Sequence, residues 1–173
     1  MDYSFLSKIS YGVYIVSSFN KEKRLNGQIS NTVFQVTSDP PRLSICINKQ
    51  NLTHQYLEEV GLFSVSVLSV ETPMTFIGRF GFKSGRDINK FDGVDFFNTD
   101  LNLPVVRENS IAWIEAKIIS KLDVGTHTLF VGDVLSGEVL GSAEPMTYDY
   151  YHKIKGGKSP KTAPTFILSD KKK

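Results

Sequence analysis

Residues 110–140 read SIAWIEAKIISKL-DVG-THTLFVGDVLSGEVL and carry the longest β-type pattern of the chain. β-Branched and aromatic residues are frequent in both long runs, 110–122 and 126–140. The three residues between the runs, Asp123-Val124-Gly125, are typical of a hairpin turn. We therefore expect two long antiparallel strands joined as a hairpin.

Shorter strands are predicted upstream of this hairpin. Tyr11–Phe19 is rich in β-branched and aromatic residues, and apolar residues alternate with polar ones over 42–48 and 63–67. Asp39-Pro40-Pro41 excludes a helix, because the residue before a proline avoids the α-helical region of backbone conformation. We also expect this segment to end the strand that precedes it. Together with the hairpin this predicts six or seven strands.

Helical patterns are few and short. Ser4–Ile9 is one candidate, and Leu52–Val60 is a second because it has apolar residues every four positions after Asn51, a plausible N-cap. A third helix is expected to open at Thr72-Pro73, since proline is favoured in a first turn. The ratio of strands to helices favours a mainly β protein, a closed or nearly closed antiparallel barrel, over alternating βαβ units.

Length and charge bound the organisation of the chain. The 173 residues fit one domain, which we place at 1–168, followed by a basic tail at 169–173. Residues 1–150 carry 13 basic and 17 acidic groups, whereas 151–173 carry seven lysines and one aspartate. The body thus lacks the clustered basic residues that duplex nucleic acid requires. The lysine-rich end is read either as a solvated segment or as a docking segment for an acidic partner.

The compartment is predicted from what the sequence lacks. No apolar run approaches the roughly 20 residues of a membrane helix, and the start shows no signal-peptide pattern. Cys46 is the single cysteine, so neither an internal disulfide nor a four-thiolate metal site is expected. These features predict a protein of the reducing cytoplasm that does not enter a membrane.

Several familiar kinds of site are excluded. His54, His127 and His152 are scattered without a second ligand at helical spacing, so no metal site is expected. The chain has no G-x-S-x-G elbow, no P-loop and no G-x-G-x-x-G segment.

Three segments dense in polar residues remain as candidates for a binding site. Residues 26–32 offer amides and hydroxyls in what we take as a loop, and 48–54 lead from a strand into a helix N-terminus, a favourable anion site. Residues 80–90 place Lys83, Arg86 and Lys90 among phenylalanines. Together they are suited to a phosphate and a planar ring; alternatively the first is a plain turn and the second a capped helix.

Four motifs in the right order carry a family resemblance over nearly the whole chain. They are Gly27-Gln28-Ile29-Ser30-Asn31-Thr32 with the following residues to Pro41, Ile47-Asn48-Lys49-Gln50-Asn51-Leu52-Thr53-His54, Phe80-Gly81-Phe82-Lys83-Ser84-Gly85-Arg86-Asp87, and Gly125-Thr126-His127-Thr128-Leu129-Phe130-Val131-Gly132-Asp133-Val134. In these motifs the chain resembles the flavin reductase-like family, especially the reductase modules of high-molecular-weight rubredoxins and the flavoredoxins.

The resemblance implies an FMN-binding antiparallel split β-barrel, a homodimer, and reduction of the FMN by NADH or NADPH. High-molecular-weight rubredoxins carry iron on paired Cys-x-x-Cys motifs, which this chain lacks. Electrons would therefore leave for a separate acceptor: a rubredoxin, a flavodiiron protein, a free flavin or a ferric complex. The alternative is an FMN-binding electron carrier that does not oxidise NAD(P)H itself.

The same resemblance implies the site residues. Its cofactor-binding set is Gln28, Ile29, Ser30, Asn31 and Thr32 along the ring and ribityl chain, Asn48, Lys49, Asn51 and Thr53 at the phosphate end, and Phe80, Ser84, Arg86 and Lys90. Of these last four, Ser84, Arg86 and Lys90 would add a second cationic wall or contact the phosphates of the nicotinamide cofactor. His127 is the predicted catalytic residue, placed to orient the nicotinamide; a satisfied, partly buried histidine is the other interpretation. Tyr148, Tyr150 and Tyr151 would cover part of the cleft or make a core or dimer contact.

Overall fold

The computed structural model of the protein describes residues 4–166, most of which belong to antiparallel strands and their connections. The elements in chain order are a 3₁₀-helix Ser4–Lys8, β1 Tyr14–Phe19, β2 Leu25–Ser30, β3 Val33–Ser38, β4 Pro41–Asn48, α1 Leu52–Val60, β5 Leu62–Leu68, α2 Met74–Gly81, β6 Phe96–Asn98, β7 Pro104–Val106, β8 Ser110–Asp123, β9 His127–Val139 and α3 Tyr148–Lys153. The predicted tail at 169–173 lies outside the described residues.

Seven strands form one sheet in the order β2-β1-β5-β8-β9-β4-β3, and β6 pairs with β7 in a separate ribbon. The long predicted hairpin is confirmed as β8 and β9, whose pairing reaches Asp123 opposite Thr128. Gly125 in its turn has a φ of 92°, a backbone conformation that glycine adopts without steric cost. The mainly β, antiparallel fold class is thus confirmed.

The sheet is not closed into a barrel by hydrogen bonds within residues 4–166. β2 and β3 are its two edge strands, although only Asn31 and Thr32 separate them in the chain. The end of β2 and the start of β3 are three residues apart, so their Cα atoms lie at most about 10–11 Å from each other. The sheet must therefore curl until one end of β2 lies next to one end of β3. The nearly closed form of the prediction is the one observed: a curled sheet that is split between its edges.

Two apolar cores lie on opposite faces of the curled sheet. The inner core contains Val16, Leu43, Ile45, Ile47, Leu57, Phe63, Val65, Ala116 and Phe130. The outer core joins β1 and β5 to α2 and the segments that follow it, and contains Val13, Ile15, Leu68, Phe76, Ile77, Phe80, Phe91, Val106, Met146 and Tyr151. Packing on both faces fixes the positions of α1 and α2 relative to the strands.

Some elements differ from the sequence predictions. The predicted loop 26–32 is mostly the edge strand β2, whose polar residues lack a strong strand pattern because part of its length faces a cleft. The third helix begins at Met74, and Pro73 occupies the N-cap position just before it. The strands β6 and β7 and the helix α3 were not predicted, since three or six residues are too few to show a period.

No helix within residues 4–166 combines the length and the apolar character needed to cross a membrane.

Candidate functional site

A cleft of about 310 Å³ opens beside β2, at the mouth of the split sheet. Four parts of the chain build it: β2, the connection from β4 into α1, the residues from Phe80 to Lys90, and a segment that follows α3. Its volume lies at the small end of the range for ligand sites, about 300–1,000 Å³. The cleft brings together all three polar segments singled out in the sequence.

Eleven of the thirteen predicted cofactor residues line this cleft: Gln28, Ile29, Ser30, Asn31, Asn48, Asn51, Thr53, Phe80, Ser84, Arg86 and Lys90. Thr32 and Lys49 do not line it. The Thr32 hydroxyl donates to the amide oxygen of Asn31 at 3.1 Å. The Lys49 ammonium donates to Asp123 at 2.6 Å, in the β8–β9 turn, and this bond holds the pKa of the Asp123 carboxyl below its usual value.

The floor of the cleft is a hydrogen-bonded junction between β2 and α1. The amide of Asn26 donates to the Thr53 hydroxyl at 2.8 Å, and both side chains are buried. The amide of Asn51 donates to the side-chain oxygen of Gln28 at 3.0 Å. These bonds fix two strand side chains against the start of the helix, so the floor is formed before any ligand binds.

One buried hydroxyl in the cleft has no partner. Ser30 is 5% exposed, and its Oγ makes no hydrogen bond within residues 4–166. Buried polar atoms are almost always paired in folded proteins, by protein, water or ligand. A ligand with polar atoms at this depth, such as a flavin with its ring oxygens and nitrogens, therefore fits the site.

Gly85 lets the loop after α2 approach the floor closely. A Cβ at this position would overlap the side-chain oxygen of Asn26 and lie 3.1 Å from Leu52. The next residue, Arg86, is exposed at the rim, where its guanidinium donates to the carbonyl of Gln50 at 3.3 Å. The loop thus places a cation next to the N-terminus of α1, as an anion site requires.

Lys90 is a buried cation in the wall of the cleft. It is 5% exposed, and its ammonium donates to the carbonyl oxygens of Gly27 at 2.9 Å and Phe80 at 3.0 Å. Burial lowers the pKa of Lys90 to about 8, because the charged form loses its hydration.

His127, the predicted catalytic residue, lies beside the cleft and lines a neighbouring cavity of about 410 Å³. In the neutral ring its Nε2 donates to the carbonyl oxygen of Thr162 at 3.1 Å, while Nδ1 accepts from the Thr126 hydroxyl at 2.8 Å. Both ring nitrogens are therefore engaged by the protein.

Several cleft residues were missed in the predicted set. They are Asn26, Cys46, Leu52, Gly85, Lys158, Pro160, Lys161, Thr162, Ala163 and Pro164. Asn26 and Gly85 lie inside motifs that were recognised, but residues 158–164 have no local pattern that indicates a ligand.

Of the three tyrosines expected near the cleft, Tyr148 and Tyr151 line it. The thiol of Cys46 is half-buried, and burial raises its pKa.

Within the described part of the chain, no three His, Cys, Asp or Glu side chains come together in a group able to hold a metal ion.

The sequence of the protein is similar to a known domain family and to characterised relatives. Residues 6–156 match the model of the flavin reductase like domain. A ferric-chelate reductase (NAD(P)H) of Archaeoglobus fulgidus is 50% identical over 169 residues, which cover 98% of this chain and 99% of the relative. A high molecular weight rubredoxin of Moorella thermoacetica is 46% identical over 172 residues, which cover 99% of this chain and 75% of the relative.

The fold is found in solved structures as well. The Streptomyces globisporus NADH:FAD oxidoreductase SgcE6 superposes with a TM-score of 0.75 and 25% sequence identity, and the match covers 83% of each chain. Because the domain model spans most of the chain and the two relatives match nearly all of it, this protein belongs to the flavin reductase like domain family.

Proposed function

We propose that this protein is an NAD(P)H-dependent flavin reductase that holds FMN in the cleft and passes electrons to a separate acceptor. The observation that carries the proposal is the cleft itself, which is lined by eleven of the thirteen residues predicted to bind the flavin, among them Ser30 with its unpartnered hydroxyl. FMN is the smaller of the two common flavins, and a cleft of about 310 Å³ favours it.

The residues of β2 would hold the ring. A bound flavin supplies a ring system that accepts a hydride and then releases its electrons to an acceptor. Reduction places negative charge on that ring, so hydrogen-bond donors and a nearby cation stabilise the reduced form. Ser30 and Asn31 offer such donors, and Lys90 contributes a positive charge behind β2.

The part of the cleft beside the start of α1 suits the phosphate of FMN. Arg86 stands at the rim beside the start of α1, and Ser84, Asn51 and Thr53 add hydroxyl and amide groups. Lys49 was predicted to share this role, but its ammonium is engaged by Asp123 outside the cleft lining. We assign Arg86 to the phosphate, because among the predicted cations it is the one that lines the cleft beside the start of α1.

The reaction needs placement rather than proton chemistry from the protein. Hydride transfer proceeds when the donor carbon and the acceptor nitrogen are held about 3–3.5 Å apart. His127 is predicted to orient the nicotinamide. Its loss would therefore slow the reduction of FMN but would not abolish FMN binding.

The acceptor is proposed to be a redox protein such as a rubredoxin, with a flavodiiron protein, a free flavin or a ferric complex as the other acceptors. A homodimer is proposed because apolar side chains are exposed on the edge strand β3 and on β9. They include Phe34, 49% exposed, Val36, 45% exposed, and Leu135, 48% exposed. A reducing cytoplasmic setting fits the single cysteine.

A second candidate function is an FMN-binding electron carrier that does not oxidise NAD(P)H. It is favoured by one observation: residues 161–164 lie between the cleft and the cavity lined by His127, and so restrict access from that side.

Anaerobic reduction separates these two functions. The purified protein is loaded with FMN, and NADH or NADPH is added in separate stopped-flow experiments while the flavin absorbance is followed. Bleaching by either nucleotide within seconds supports the reductase, and reoxidation by each acceptor in turn identifies the partner. Bound FMN that neither nucleotide bleaches supports the carrier. A correctly folded protein that binds no FMN would overturn both.

A further inference from the structure

We infer that His127 is a positioning residue that fastens residues 157–166 across the cleft, and that Pro160–Pro164 is the wall against which the flavin binds. We call residues 157–166 the strap. The inference deepens the proposed function and rests on it for the identity of the ligand, whereas the fastening itself is a property of the protein alone.

The strap is anchored first to α3. The amide of Gly157 donates to the carbonyl of Tyr151 at 2.9 Å, and the hydroxyl of Tyr151 donates to the carbonyl of Lys158 at 3.0 Å. His152 donates through Nδ1 to the carbonyl of Gly157 at 2.8 Å. These bonds set where the strap starts but do not reach its centre.

The far half of the strap is held by residues of the sheet. His127, the first residue of β9, donates to the Thr162 carbonyl, and Asn31, just after β2, donates to the Thr165 hydroxyl at 2.8 Å. The Thr165 hydroxyl in turn donates to the hydroxyl of Tyr148 at 3.1 Å. The strap is thus tied to the interior strand β9 and to the end of the edge strand β2.

Between these anchors the strap separates two cavities. Lys161, Ala163 and Pro164 line both the cleft and the second cavity beside His127. The strap pairs with no strand, and two of its own amides, those of Ala163 and Phe166, bond back to carbonyls three residues earlier. Because so few backbone bonds hold it, its position depends on side chains such as His127.

This arrangement gives His127 a use that neither earlier interpretation included. The residue is only 9% exposed, and the bond from Nε2 requires that this nitrogen carry the proton. Loss of the ring would remove the hydrogen bond that holds Thr162 in the wall of the cleft. The hydrogen bond between Asn26 and Thr53 in the floor would remain.

Hydrogen exchange measured by mass spectrometry tests the fastening in the flavin-free protein. In His127→Ala we expect the peptide covering the strap to exchange about fivefold to tenfold faster than in wild type, the effect of one lost hydrogen bond. His127→Gln, which keeps an N–H donor, should restore slow exchange. Thr165→Val removes the other fastening and should also speed exchange, so the test survives if His127→Ala does not fold.

His54→Ala is the matched control, because His54 bonds Thr128 and touches no residue of the strap in the described contacts. The strap of His54→Ala should exchange hydrogen at the wild-type rate. Strap exchange in folded His127→Ala and Thr165→Val that equals wild type would overturn the fastening.

FMN titration tests the wall. Saturating FMN should slow exchange of the wild-type strap at least fivefold, and His127→Ala should bind FMN about fivefold more weakly by fluorescence quenching. FMN that binds without slowing strap exchange would overturn the wall. Absence of FMN binding to the wild type would instead overturn the proposed function, and the flavin-free exchange rates would still decide the fastening.

Discussion

The buried ammonium of Lys90 donates a hydrogen bond of 2.9 Å to the carbonyl oxygen of Gly27, which ties the loop after α2 to the edge strand that lines the cleft. A second bond from the same group reaches the carbonyl of Phe80. A charge held this way is only 5% exposed to solvent and has no acidic partner among the described ion pairs. Its cost to stability depends on pH.

Replacement of Lys90 by methionine should reveal that cost. The pKa of Lys90 is about 8 in the folded protein and 10.5 as its ordinary value, so the burial penalty is complete below pH 8 and disappears above 10.5. The free energy of unfolding of Lys90→Met relative to wild type should therefore fall by roughly 2–3 kcal/mol between pH 7 and pH 10. Urea unfolding of both flavin-free proteins across this range measures it; a difference independent of pH would contradict the buried charge.

Replacement of Arg86 by alanine should weaken FMN binding about tenfold, because a charge-assisted bond to the phosphate is lost. Lys49→Ala should change it less than twofold, since the Lys49 ammonium bonds Asp123. Fluorescence titration with FMN measures both. Riboflavin, which lacks the phosphate, is the control ligand: an equal loss of riboflavin affinity in Arg86→Ala would show that the arginine does not act on the phosphate.

Replacement of Gly85 by alanine should narrow the cleft. The new Cβ displaces the Asn26 amide from its bond to Thr53, and we expect FMN affinity to fall more than tenfold. Gly78→Ala is the matched control on α2, because a Cβ there meets no atom within 4 Å. That variant should keep wild-type affinity and gain about 0.5–1 kcal/mol of stability from helix propensity. Unchanged affinity in Gly85→Ala would contradict the close approach.

Replacement of Val36 by lysine should separate the proposed homodimer. Val36 lies on the edge strand β3, which pairs with β4 on one side only, and is 45% exposed, so a charge there would be buried only in the assembled pair. Sedimentation velocity should show a dimer for wild type and a monomer for the variant. A monomeric wild type would contradict the homodimer. A variant that remains dimeric would show that the contact lies elsewhere on the surface.

The sequence predicted those parts of the fold that depend on local pattern. The β8–β9 hairpin follows from β-rich runs around a short turn, and α1 from apolar residues at a spacing of four. Contacts between distant residues left no such pattern. Lys49 meets Asp123 across 74 positions, and His127 meets Thr162 across 35, so neither the engaged lysine nor the strap could be read from spacing.

The strap follows every strand of the sheet in the chain, and this order has a consequence for synthesis. A nascent chain that has emerged as far as β9 contains the sheet and the floor residues, yet it lacks residues 157–166. At about 5–20 residues per second, the last wall arrives a second or more after β9. A ribosome-bound intermediate would therefore hold FMN loosely, and firm retention of the cofactor would mark a chain that has emerged as far as Phe166.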